Sequence, residues 1–236
     1  IMNNILSMLL DVEINWVFYT VISVMVILGF LAIFFISRRR NSIGTRALVF
    51  GAVTVAITVV LNFLKIDTGL YGGSITFFRL LPLVIYSYMF GPSCGMLAGL
   101  CYGLLDSMFD PSVVHPVQYL LDYALPFCFI GLAGFARNFK KAPLVIGTLF
   151  AMAGRIIPAF IAGATFWASY MPSDFPVQNA WIYSFVYQCI TTIPDMLIVL
   201  IGAVILTFSK QAMGYFNKIK DQEDSKNQNV EKTNAA

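Results

Sequence analysis

The sequence predicts an all-α, polytopic membrane helix bundle with seven spans. Hydrophobic residues make up 58% of the 236 and charged residues only 11%, whereas a soluble domain carries about 25% charged residues. Apolar runs recur at lengths that suit a bilayer, whose core of about 30 Å takes about 20 residues at 1.5 Å each. The basic residues gather in three of the segments between or after those runs.

The first run, Trp16–Ser37, stops at Arg38, Arg39 and Arg40. The others are Ala47–Leu64, the short Phe77–Phe90, Cys94–Met108, Val117–Phe135, Leu144–Ala168 and Trp181–Phe208. Pro82, Pro126, Pro158 and Pro194 lie inside four of them, as membrane helices tolerate where neighbours re-satisfy the freed backbone groups. From Lys210 the composition turns polar, which predicts a disordered tail. Three units follow: residues 1–45 as an N-terminal span with a basic linker, 46–209 as the membrane domain, and 210–236 as the tail.

The positive-inside rule orients the chain. Arg38, Arg39, Arg40 and Arg46, then Arg137, Lys140 and Lys141, then the five lysines from Lys210 onward fall on one side, twelve of the fifteen Lys and Arg. That side is predicted to be cytoplasmic, with the C-terminus there and the N-terminus outside. The net charge of +3 follows from this distribution and implies no nucleic-acid partner. The opposite side carries Asp11, Glu13, Asp67, Asp106, Asp110 and Asp174.

The insert between the fourth and fifth runs, with the turn of helix after it, holds Asp106, Asp110, His115, Gln118, Asp122 and Tyr123. Polar groups at membrane depth are costly and mark function by default, so this cluster predicts an outward-facing pocket mouth. Asp122 lies about 9 Å inside the outer end of its helix at the helical rise. Trp167, Tyr170, Trp181, Tyr183 and Tyr187 stand at the outer ends of the last two spans. They read either as an interfacial belt or, with Asp122, as a site for a flat cationic ligand held by a carboxylate and aromatic faces.

Arg155 and Asp195 are the deepest charges, and their matching depths predict an ion pair joining the last two spans, serving structure or transport. Ala52 and Ala56, beside Gly51, are small residues four apart that let a helix approach closely, either within the chain or from a partner. The glycine-rich Lys65–Thr76 segment reads as a lid or a plain connector. Arg79 is expected as a cation near the mouth. Cys94, Cys101, Cys128 and Cys189 form no metal-ligand spacing. With no phosphate loop, GxSxG or HExxH, no enzyme activity, metal or cofactor is predicted.

Four stretches, GMLAGLCYGLLD, VVHPVQYLLDYALPFCFIGLAGF, GATFWASY and WIYSFVY, resemble the thiamine-type substrate-binding subunits of energy-coupling factor vitamin transporters over about Arg46 to Phe208. The resemblance implies a six-helix core plus an extra N-terminal span, in a bacterial plasma membrane. It implies capture of thiamine or a related compound outside, and delivery to a module of one transmembrane coupling protein and two ATPases. It assigns ligand contacts to Asp122, Tyr123, Trp167 and Tyr183, with His115, Ser112 and Gln188 at neighbouring site positions, and coupling-protein contact to Ala52 and Ala56. Three positions depart from the family pattern: Ser112 for a stacking tyrosine, Ala159 for a histidine, and Gln188 for an asparagine. The alternatives are the same scaffold with another small-molecule substrate, or a proton-coupled secondary transporter using Asp122 and the Arg155–Asp195 pair.

Overall fold

The computed structural model describes residues 43–67, 74–109, 111–172 and 175–235. The predicted Trp16–Ser37 span, Arg38–Arg40, Asp110 and Asp174 lie outside the described residues. Six helices form the membrane bundle among them: α1 (Thr45–Asn62), α2 (Leu81–Phe90), α3 (Pro92–Phe109), α4 (Pro116–Asn138), α5 (Pro143–Thr165) and α6 (Ala180–Phe208). A seventh, α7 (Lys210–Ala235), follows. Four of the six, α1, α4, α5 and α6, are long and apolar enough to cross a membrane.

Close packing begins on α1. Ala47, Gly51, Thr54, Val55 and Thr58 form its buried face. Tyr86 of α2 donates its hydroxyl to Ala47 O at 2.7 Å, and a Cβ on Gly51 would stand 2.9 Å from that hydroxyl. Thr54 and Thr58 donate back to Phe50 O and Thr54 O, both at 2.8 Å, so both buried hydroxyls are paired within an apolar helix. Ala52 and Ala56 lie on the opposite, exposed face with Val49, Val53, Ile57 and Val60. Among the described residues the stripe of this helix that packs within the chain is therefore the one through Gly51, and not the one through Ala52 and Ala56.

The third predicted span, Phe77–Phe90, is shorter than expected. Its first residues form a turn with Phe78 in a left-handed backbone (φ 53°), and helix starts only at Leu81, with Pro82 in its first turn. Ten residues rise about 15 Å, half the bilayer core, so the chain enters α2 well inside the bundle. The segment read as a glycine-rich connector includes an antiparallel hairpin, β1 (Lys65–Asp67) with β2 (Ser74–Thr76), Ile66 facing Ile75.

Helices α3 and α4 touch backbone to backbone through Gly95, Gly99 and Gly103, four residues apart on one face. A Cβ on Gly99 would sit 2.1 Å from Phe127 O, and one on Gly103 2.1 Å from Tyr123 O. Within α4, residues Leu120–Ala124 form a π turn directly before Pro126. Proline has no N–H to bond the carbonyl four residues back, here that of Asp122. In α6, Pro194 likewise frees the Ile190 carbonyl, and the helix breaks at Thr191.

The predicted disordered tail is instead the helix α7. Met213, Phe216, Ile219, Glu223 and Asn227 recur at three- and four-residue spacing and are its sheltered face. Arg137 donates to Asp224 Oδ1 at 2.8 Å, Lys220 to Arg137 O at 2.7 Å, Tyr88 to Asn217 at 2.5 Å and Arg46 to Gln222 at 2.8 Å. Side-chain partners on α1, α2 and α4 replace the missing apolar content.

Candidate ligand site

The π turn and the glycine contact position the site. Asp122 lies in the π turn, and Tyr123 is drawn against α3 at Gly103. Asp122 Oδ2 accepts from Gln118 Nε2 at 2.6 Å and from Trp167 Nε1 at 2.7 Å. Trp167 opens a short 3-10 turn (Trp167–Tyr170) beyond α5 and packs against Tyr170 at 5.5 Å between centroids. Both donors to the carboxylate are neutral, so among the described residues its negative charge is hydrogen-bonded but not matched by a cation.

Gln118, which the sequence places in the polar cluster of the mouth without a ligand contact of its own, is the hub. It is fully buried, donates also to Ser112 O at 3.0 Å, and accepts from Val114 N at 3.1 Å. Its signal was the four-residue spacing to Asp122, which stacks the two on one helix face. Ser112 N donates to the Tyr123 hydroxyl at 3.0 Å, and Tyr123 lies tilted against Tyr119 at 5.5 Å. His115 caps α4, its Nδ1 accepting from Val117 N at 3.1 Å, and stacks on Phe166 at 5.2 Å.

Tyr183 and Gln188 come from α6. Tyr183 meets Phe175 edge-on at 5.2 Å and Tyr187 at 6.5 Å. Gln188 is buried, and its Oε1 has no hydrogen-bond partner among the described residues. Burial of an unsatisfied carboxamide oxygen costs roughly 1–3 kcal/mol, which a ligand donor would recover. Ala159 is half-buried on α5.

The deep charges form a larger network than one pair. Arg155 donates to Asp195 Oδ2 at 2.6 Å. Asp195 also takes Arg79 at 3.4 Å, the Thr76 hydroxyl, and Thr76 N at 3.3 Å. Arg79 reaches Asn62 Oδ1 at 2.8 Å and lies 3.8 Å from Asp106, which also accepts from Tyr102 at 2.9 Å. The expectation of Arg79 as a free cation at the mouth is thus corrected: α2 starts so deep that its guanidinium points into this network. Asp106, near the end of α3, is buried and joins this network through Arg79 and Tyr102. The network anchors non-helical backbone at Thr76, which at membrane depth must find internal partners.

Two of the four cysteines are buried (Cys94, Cys128) and two exposed (Cys101, Cys189), all unpaired by disulfides. Among the described residues no group of three His, Cys, Asp or Glu is placed to hold a metal.

An apolar helix bundle in which four helices are long and apolar enough to cross a bilayer defines a multi-pass membrane protein, and a hydrogen-bonded carboxylate among aromatic rings is its candidate site. The chain belongs to the thiamine transporter protein family, whose model matches residues 48–214. It is 31% identical over 169 residues to thiamine transporter ThiT of Bacillus subtilis, covering 62% of this chain and 82% of the relative. To ThiT of Lacticaseibacillus paracasei it is 28% identical over 177 residues, covering 68% and 86%. A solved structure of ThiT from Listeria monocytogenes shares the fold with a TM-score of 0.60, at 24% identity, covering 70% of this chain and 94% of that one. The part of α7 beyond Gly214 lies outside the family match.

Proposed function

We propose that this chain is the substrate-capture subunit of an energy-coupling factor importer, binding thiamine or a closely related cationic compound in an outward-facing site. The observation that carries the reading is the Asp122 carboxylate. It is held by two neutral donors, Gln118 and Trp167, beside the Tyr123 and Trp167 rings, and is left to meet a ligand cation. Tyr183, Gln188, His115 and Ser112 complete the ligand surroundings. A carboxylate supplies charge and the rings supply stacking and cation–π contact, with no bond made or broken in the ligand, so the subunit is not an enzyme and needs no cofactor.

The partners proposed are one transmembrane coupling protein and two ATPases. Ala52 and Ala56 lie exposed on α1 and offer a small-residue face for a coupling helix. The mouth faces outward and the C-terminus inward, in a bacterial plasma membrane, with the N-terminus outside. A proton-coupled transporter is the weaker reading: Arg79 and Arg155 are matched by Asp106 and Asp195, which among the described residues leaves no unmatched charge in that network to relay a proton. Ser112, Ala159 and Gln188 keep a related substrate in view as the second reading. Titration of the detergent-purified protein with thiamine, read by tryptophan fluorescence, tests the proposal directly.

A further inference from the structure

The guanidiniums of Arg79 and Arg155 both pack on Phe127, with Cζ 5.6 and 5.3 Å from the ring centre. Phe127 follows Asp122 by five residues on α4, a rise of about 7.5 Å. The two cations therefore pack on a ring about one and a half helical turns further along α4 than the carboxylate of the ligand site. A cationic ligand seated above them would be repelled unless their charge were cancelled. Asp195 does most of the cancelling, because it accepts from Arg155 at 2.6 Å and Arg79 at 3.4 Å; Asp106 adds a second anion 3.8 Å from Arg79. Two positive and two negative groups make the cluster neutral, and Asp122 remains the unmatched charge above it.

We infer that Asp195 is a specificity-determining residue of the ligand site: by neutralising Arg79 and Arg155 it lets Asp122 select cations. Asp195 acts through the charges it cancels and touches no ligand. The inference rests on the capture reading for its natural ligand, but its content is electrostatic. An uncancelled unit charge about 12 Å from the ligand, at an effective dielectric of about 20, changes a cation's affinity by about tenfold. A neutral ligand of the same shape does not sense that change.

The test uses the full-length protein in detergent and two probes, thiamine and an analogue whose charged thiazolium is replaced by an uncharged ring. In Asp195→Asn the cluster carries one excess positive charge, and thiamine is expected to bind about tenfold more weakly while the neutral analogue is unchanged. Adding Arg79→Gln to that variant restores neutrality and should restore thiamine binding. Arg79→Gln alone keeps the Arg155–Asp195 pair, so it guards against a misfolded Asp195→Asn, and it should bind thiamine several-fold more tightly. Equal losses for both probes, a double variant no better than the single, or unchanged thiamine binding in Arg79→Gln would each overturn the inference. Failure of the capture reading looks different: the wild-type protein would ignore thiamine yet take a simpler aromatic cation, such as an N-benzylthiazolium, with which the same variants are then read. Wild-type protein that prefers no aromatic cation over its neutral counterpart overturns the inference too.

Discussion

Asp122 and Gln118 show what a single position can and cannot reveal. A carboxylate two turns inside an apolar run stands out in a sequence, because its desolvation needs a reason. Gln118 reads in the sequence only as one polar group of the mouth, since a carboxamide near a helix start has many ordinary uses; only the fold reveals that it bonds Asp122, Ser112 and Val114 at once. Gln118→Ala therefore removes a donor from the carboxylate and unties the Ser112 segment. Calorimetric titration is expected to show thiamine binding weakened by about tenfold, the scale of one hydrogen bond to a charged group. Ala159 is the opposite case, a small half-buried side chain on α5 where the resemblance leads one to expect a histidine. Ala159→His supplies a hydrogen-bonding ring and is expected to tighten thiamine binding several-fold, a gain of about 1 kcal/mol; unchanged or weaker binding would favour a different ligand. Arg79 was misread because its apparent place at the end of a span hid the late start of α2 at Leu81.

Among the elements, span positions follow hydropathy closely, whereas interruptions follow local chemistry that hydropathy averages away. The π turn before Pro126, the break before Pro194 and the hairpin ahead of α2 are such interruptions, and each lies beside a polar group of the site or network. The α3–α4 contact depends on Gly95, Gly99 and Gly103. Gly99→Ala puts a methyl 2.1 Å from Phe127 O, so the helices must separate, at about 1–3 kcal/mol for overpacking. A lowered melting temperature by scanning fluorimetry, with thiamine binding weakened through the displaced Tyr123, is the expected result. Helix α7 escaped the sequence reading for a different reason. Its low apolar content predicts disorder, but its order comes from partners on other helices, Arg137, Arg46 and Tyr88, which no local window contains.

Across the molecule, the proposed site and the exposed Ala52–Ala56 face belong to different helices, so the capture and coupling proposed for them are separable. Ala52→Leu with Ala56→Leu should leave thiamine affinity within about twofold, since neither residue lies in the packed interior. ATP-driven uptake in vesicles with the coupling protein and ATPases should fall severely, because bulky side chains keep a partner helix from close approach. Loss of binding and uptake together would place this face in the fold rather than in the coupling step. The central claim, a carboxylate that holds a cationic ligand, is tested most directly by thiamine titration of wild-type and Asp122→Ala protein, read by tryptophan fluorescence. The account predicts saturable quenching in the wild type and affinity reduced at least about 100-fold in the variant, the scale of a lost charged contact. Quenching that persists unchanged in a folded Asp122→Ala protein would contradict it.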